Sequence, residues 1–202
     1  MYTFNESIKN HLSQSDETMA FLIKHLPLKD KTMPYDSLLS GIIAIIISQQ
    51  LALSVAEKLF QAFKARFSPL TQAHLNTFSA RDFKEIGLSN AKSETIKRLL
   101  NTPLDENLMQ ASNETIFKTL TSIKGIGPWS AEMVIMFMKK DMNYFSFNDG
   151  GIKNALKIFY PNADYQTLVD KFHPYKSYAC IILWEALAYK KILLEKMEEN
   201  YD

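Results

Sequence analysis

Side chains that build metal, thiol or disulfide chemistry are scarce in this chain. Cys180 is the single cysteine, which excludes an internal disulfide and any all-cysteine zinc or iron–sulfur site within the chain. Four scattered histidines are too few for a dedicated metal centre. The segment most suggestive of chemistry runs Leu120-Thr-Ser-Ile-Lys-Gly-Ile-Gly-Pro-Trp-Ser-Ala-Glu-Met-Val134 and sets Gly125-Ile126-Gly127 between two amphipathic stretches. Glycine at both positions permits positive φ and leaves no Cβ to block an approaching ligand. Amides of the turn, with those opening a helix at Pro128–Ser130, would face outward where the helix dipole favours an anion. A nucleic-acid phosphate suits such a nest, with no base being read, while Ile126 plugs the turn into the core. Alone, Gly-Ile-Gly reads more simply as the turn of a plain helical hairpin.

Helices must position this turn, because helical signals dominate the chain. Six glycines leave few hairpin turns of the kind an antiparallel sheet needs. Residues Tyr35 to Ile47 form an apolar, buried helix. Leu51, Val55, Leu59, Ala62, Phe63 and Phe67 recur at helical period. Ser79 caps a short helix ending near Gly87. Further helices are predicted over Lys92–Leu100, Asn113–Leu120, Pro128–Met138, Ile152–Phe159 and Tyr175–Met197, with Pro128 well placed in a first turn. The fold class is all-α.

Formal net charge is +1. Residues 1–117 carry 12 basic and 12 acidic side chains, residues 118–191 carry 10 and 6, and the tail from 192 to Asp202 carries 1 and 4. The basic stretch is compatible with a phosphate-facing surface and is equally an ordinary fluctuation. The opening residues MYTFNESIKN hold no apolar stretch, and the run Leu38 to Ile47 is too short to span a bilayer. The expectation is a soluble intracellular protein with no membrane association.

Four motifs in order carry a resemblance. Leu-x-x-Ile-x-Gly-Ile-Gly-Pro-Trp-Ser-Ala resembles the helix-hairpin-helix motif of the DNA glycosylase superfamily, in particular its 3-methyladenine DNA glycosylase II branch. In that branch an aspartate follows about twenty residues later, ahead of a short helix, where this chain has Phe145-Ser-Phe-Asn-Asp149-Gly-Gly-Ile-Lys. Ile45-Ile-Ile-Ser-Gln-Gln-Leu resembles the family's Ser-Gln-Gln turn, Gly87-Leu-Ser-Asn-Ala-Lys its Gly-Leu-Ser-x-x-Lys turn, and Pro174-Tyr-Lys-Ser-Tyr-Ala…Leu-Trp184 its C-terminal helix. The likeness covers roughly residues 35–190.

The resemblance implies two helical lobes with a central cleft, within one helix-hairpin-helix unit spanning 1–202. One lobe would hold about 36–128, the other about 1–35 plus 129–202. It implies base excision from double-stranded DNA containing damaged bases, with Asp149 as the catalytic carboxylate. Cutting an N-glycosidic bond builds positive charge on the sugar, and one ionised carboxylate beside C1′ stabilises it or activates the water. An alkylated purine already carries positive charge and leaves neutral, so the second, acidic carboxyl of an O-glycoside hydrolase is unnecessary. Asp149 also suits the N-cap of the helix near Ile152, and the two roles are compatible.

The damaged base must leave the stack to be reached. Trp129 and Trp184, the two tryptophans, fall where the family places pocket aromatics, although either could be a core residue. Tyr178, Phe145 and Phe147 are lesser candidates for the same wall. The resemblance points to Gln50 as the side chain that fills the vacated space, with Ser48 and Gln49 shaping its turn; the residues alone read as a polar exit from an apolar helix. Gly125, Gly127 and Ser130 would meet the DNA phosphate. Backbone carbonyls of Thr121, Ile123 and Ile126 would hold a monovalent Na or K ion, no other cofactor being required.

Relatives that also nick the strand carry lysine at the position of Trp129, so simple hydrolysis is expected. Met133 and Gly150 stand where the family often has aromatics. The protein is expected to be a cytoplasmic, nucleoid-associated monomer if bacterial. Two rival readings are a non-enzymatic helix-hairpin-helix DNA-binding module and a glycosylase for deaminated or oxidised bases.

Overall fold

The structure, a computed structural model, describes residues 2–31, 35–105 and 107–199. Among them, thirteen α-helices and a lone antiparallel bridge between Tyr2 and Lys31 make the chain all-α. In order the helices are α1 (Glu6–Ser15), α2 (Glu17–His25), α3 (Leu38–Ser48), α4 (Leu53–Phe67), α5 (Gln72–Leu75), α6 (Ala80–Lys84) and α7 (Asn90–Leu100). There follow α8 (Asn113–Thr121), α9 (Pro128–Val134), α10 (Gly150–Phe159), α11 (Tyr165–Lys171), α12 (Lys176–Ala188) and α13 (Lys190–Glu199). A 3₁₀ turn covers Leu108–Gln110. Asp202, the last charge of the acidic tail, lies outside the described residues.

Short polar side chains start most of these helices by accepting a first-turn amide that has no intrahelical partner. Asn5, Asp16, Ser37, Thr71, Ser79, Ser89, Ser112 and Asp164 all do so. Two sequence expectations change. The helix expected over Tyr175–Met197 ends at Ala188 and restarts at Lys190, with Tyr189 left outside helical geometry at φ −106° and ψ 12°. The helix from Pro128 loosens after Val134 into a π-helical turn, Ile135–Lys139, whose Lys139 Nζ donates to Ala111 O and Asn113 Oδ1 at 2.7 and 2.8 Å.

The chain divides into two compact units, residues 34–139 and residues 1–33 with 140–202. In the first, α3 is apolar on every side, and Ser40 through Ile47 are buried beneath α4, α7 and α9. In the second, α12 plays the same part. Ser177 through Leu183 are buried, and α2, α10 and α13 pack around it. The division falls at Lys139/Lys140 and not near residue 128, because α9 is packed against α3 and α8 and stays with them. No helix among the described residues is long and apolar enough to cross a membrane.

Candidate active site

In the unit made of 1–33 and 140–202, α12 holds the loop that delivers Asp149. Ser177 and Trp184 are seven residues apart, two turns on one face of that helix. Ser177 is fully buried; its Oγ is placed against Asp141 O and Tyr144 O at 2.6 and 2.7 Å and accepts the Tyr144 amide at 3.2 Å. Its own amide donates to Met142 O at 2.9 Å. Two turns on, half-buried Trp184 donates its indole N–H to Asp149 Oδ1 at 2.8 Å. The loop is thus fastened to one helix at both ends.

Asp149 is the N-cap of α10, its Oδ1 accepting the Ile152 amide at 2.8 Å, and it is 8% exposed. Two donors converge on one oxygen, fixing the plane of the carboxylate before any substrate arrives. A buried carboxylate is tolerated when charge-favouring donors surround it, and here an amide at a helix start and an indole N–H supply them. Gly151 makes the convergence possible. A Cβ there would lie 3.0 Å from Asp149 Oδ1 and 3.2 Å from Trp184 Cδ1.

Of the lesser aromatic candidates, Tyr178 is a core residue, 5% exposed and edge-on to Tyr2 and Phe4 at 5.0 and 5.3 Å. Phe145 is buried against Phe147, which keeps 36% of its surface exposed two residues before Asp149. Gly150 is exposed, and Met133 is buried in α9.

The remaining candidates lie in the unit of residues 34–139. At the hairpin, Gly125 has φ +104°, and a side chain there would overlap the hydroxyl of buried Thr95 on α7. Glycine is required by conformation and by packing at once. Gly127 differs from expectation. Its φ is −91°, an ordinary value, and among the described residues, its chain neighbours aside, nothing lies within 4 Å of where its Cβ would be. The space it keeps clear is outside the protein. No side chain caps the start of α9.

The Ser130 side chain is 2% exposed and turned inward, where its Oγ accepts from Gln49 Nε2 at 2.9 Å, so the group it would offer a phosphate is its backbone amide, the one the sequence reading named. Gln49 donates as well to Gly125 O at 3.1 Å. It is half-buried and braces the hairpin. Ser48 turns back to Ile45 O at 2.9 Å. Gln50 is exposed and left-handed, φ 56°. Lys92 Nζ donates to Ile47 O at 2.7 Å; burial lowers its pKa from the usual lysine value. Trp129 is half-buried at the start of α9.

Ile123 and Ile126 bury their side chains, and the Ile126 amide donates to Ile123 O at 2.9 Å. One of the three carbonyls expected to hold a cation thus already accepts an amide; a backbone carbonyl is a hard oxygen donor that suits Na or K and not a transition metal. Among the described residues no group of His, Cys, Asp and Glu could hold a metal.

One unit thus carries a clamped aspartate ahead of a helix, and the other a glycine hairpin with no side-chain cap. Residues 43–169 match the HhH-GPD superfamily of base excision DNA repair proteins, and the chain belongs to that family. It is 32% identical over 164 residues to a Bacillus subtilis protein, YfjP, named provisionally as a DNA-3-methyladenine glycosylase. That match spans 70% of this chain and 56% of the relative, so the chain accounts for little more than half of that protein. A 3-methyladenine DNA glycosylase of Archaeoglobus fulgidus has the same fold, with TM-score 0.76 and 25% identity over 90% of this chain and 68% of its own. The fold is shared too with a Schizosaccharomyces pombe 3-methyladenine DNA glycosylase in complex with abasic DNA, at TM-score 0.78 and 23% identity over 89% of this chain and 96% of that one.

Proposed function

We propose that this protein excises alkylated purines of the 3-methyladenine type from double-stranded DNA, hydrolysing the N-glycosidic bond with Asp149 as the catalytic carboxylate. The observation that carries the reading is the convergence of the Ile152 amide and the Trp184 indole on one oxygen of a nearly buried aspartate, in a chain of the base-excision family. A carboxylate held in this way costs no reorganisation when positive charge develops on the sugar. The base is extruded from the stack, Gln50 takes its place, and the cationic purine departs as a neutral leaving group without a protein acid. Trp129 and Trp184 offer aromatic faces to the electron-poor base.

Excision is hydrolytic with no strand nicking, since Trp129 stands where an attacking lysine would be needed. The hairpin meets DNA through the amides that open α9 and the clearance at Gly127. Carbonyls of Thr121, Ile123 and Ile126 would hold a Na or K ion there, supplying positive charge beside a phosphate. On this reading the protein works in the cytoplasm, nucleoid-associated if bacterial, as a monomer.

Base-release profiling on methylated, deaminated and oxidised duplexes tests the proposal. Release of methylated purines is expected. Asp149→Asn should lower it by at least ~100-fold while still folding, because the asparagine Oδ1 can accept the same two hydrogen bonds. Equal rates for the variant would remove Asp149 from the chemistry. Preferred release of deaminated or oxidised bases would change the substrate class, and binding without release would make the chain a DNA-binding module.

A further inference from the structure

The turn that bears Gln50 and the glycine hairpin are joined by Gln49. Its amide uses both hydrogens, one on Gly125 O at 3.1 Å and one on Ser130 Oγ at 2.9 Å. Both acceptors are fixed. Gly125 is locked by positive φ against Thr95, and Ser130 is 2% exposed at the start of α9. On its other side the turn is held by Lys92, whose Nζ closes the end of α3 on Ile47 O at 2.7 Å. Between these fastenings Gln50 stands exposed in a left-handed conformation.

We infer that Gln49 is a positioning residue that couples phosphate capture at the hairpin to nucleotide extrusion by Gln50. This rests on the glycosylase reading. A primary amide of this length gives two donors, from one nitrogen, to two divergent acceptors without introducing a charge. With the amide in place, residue 50 directly follows a side chain tied to the turn at 125–127 and to α9. A phosphate seated on the hairpin then fixes where along the duplex Gln50 enters. Without the amide both parts persist, but their spacing is no longer set.

A double-mutant cycle tests this, using Gln49→Ala, Gln50→Ala and the pair in the full chain. The readouts are affinity for an abasic-site duplex, affinity for an undamaged duplex, extrusion followed by 2-aminopurine fluorescence beside the lesion, and thermal melting. Gln49→Ala should slow extrusion and weaken abasic-site binding about tenfold, the scale of two lost neutral hydrogen bonds, and leave undamaged-duplex affinity unchanged. In the Gln50→Ala background its further effect should vanish. Gln49→Glu, of equal length but without donors, should match Gln49→Ala and guards against a packing defect. Additive losses would mean independent action, and a parallel loss on undamaged DNA would place Gln49 in the phosphate site; either overturns the coupling, as would wild-type extrusion by Gln49→Glu. Absence of base release by the wild-type protein would instead sink the glycosylase reading, and the binding arms of the cycle would still report on Gln49.

Discussion

Trp184 and Asp149, 35 positions apart in sequence, meet through an indole N–H to carboxylate bond of 2.8 Å. Trp184 therefore serves the acid directly, whatever it also offers to a base. Trp184→Phe keeps an aromatic ring and removes the donor. Hydrogen bonds to charged groups contribute about 1.5–3 kcal/mol, so base release should slow about tenfold or more. In an Asp149→Asn background the same change should have far less effect. Single-turnover rates for the four proteins decide it, and additivity would mean that the ring matters and the bond does not.

Gly151→Ala separates stability from activity. Alanine favours the helix by up to about 1 kcal/mol over glycine, but its methyl would press on Asp149 Oδ1 and Trp184 Cδ1. Melting temperature should hold or rise while excision falls. Gly150→Ala, with nothing within 4 Å of the added carbon, is the matched control and should retain its rate.

Gln50 holds φ 56°, a conformation that costs a residue with a Cβ about 1–2 kcal/mol. Gln50→Gly should therefore raise thermal stability slightly and weaken abasic-site binding, while undamaged-duplex affinity stays put. Gln50→Ala should weaken it too, with no gain in stability. Unchanged abasic affinity in both variants would end the wedge assignment.

Alkaline pH should unfold the unit built from the chain ends. Tyr160 is buried and donates its hydroxyl to Asp16 Oδ1 at 2.8 Å; Tyr2 is buried with its hydroxyl on Asp141 O at 3.2 Å. Burial, first of all, pushes both hydroxyls far above the ordinary value of 10.0. The folded chain keeps protons that the unfolded chain releases near pH 10. Their contribution is intact below that pH and is lost above it, at about 1.4 kcal/mol per unit for each tyrosine. Melts on either side of pH 10 should show the loss, and Tyr160→Phe should make the decline shallower.

What was legible in the sequence was local. Gly-Ile-Gly-Pro between amphipathic stretches announced the hairpin, and Asp149 ahead of Gly-Gly-Ile announced a helix start. The helices α1 and α2, capped by Asn5 and Asp16, went unread because each buries only two residues; α5 and α11 are too short for a period to register. The illegible part lies across long separations. Nothing at Ser177 says that its hydroxyl will bind a loop 33 and 36 residues earlier, and nothing at Gln49 says that its amide will turn inward. At Gly127 only half of the reading was legible: the missing Cβ faces open space, but the positive φ also expected there is not adopted.

Because Ser177 pins residues 141–144 and Trp184 pins 149, the stretch between them is bounded by two anchors on a single buried helix. Phe147, exposed in that stretch two residues before Asp149, can be exchanged without shifting the carboxylate. On the proposed function, descendants of such a chain would be free to change which lesion they accept while inheriting the same hydrolytic step.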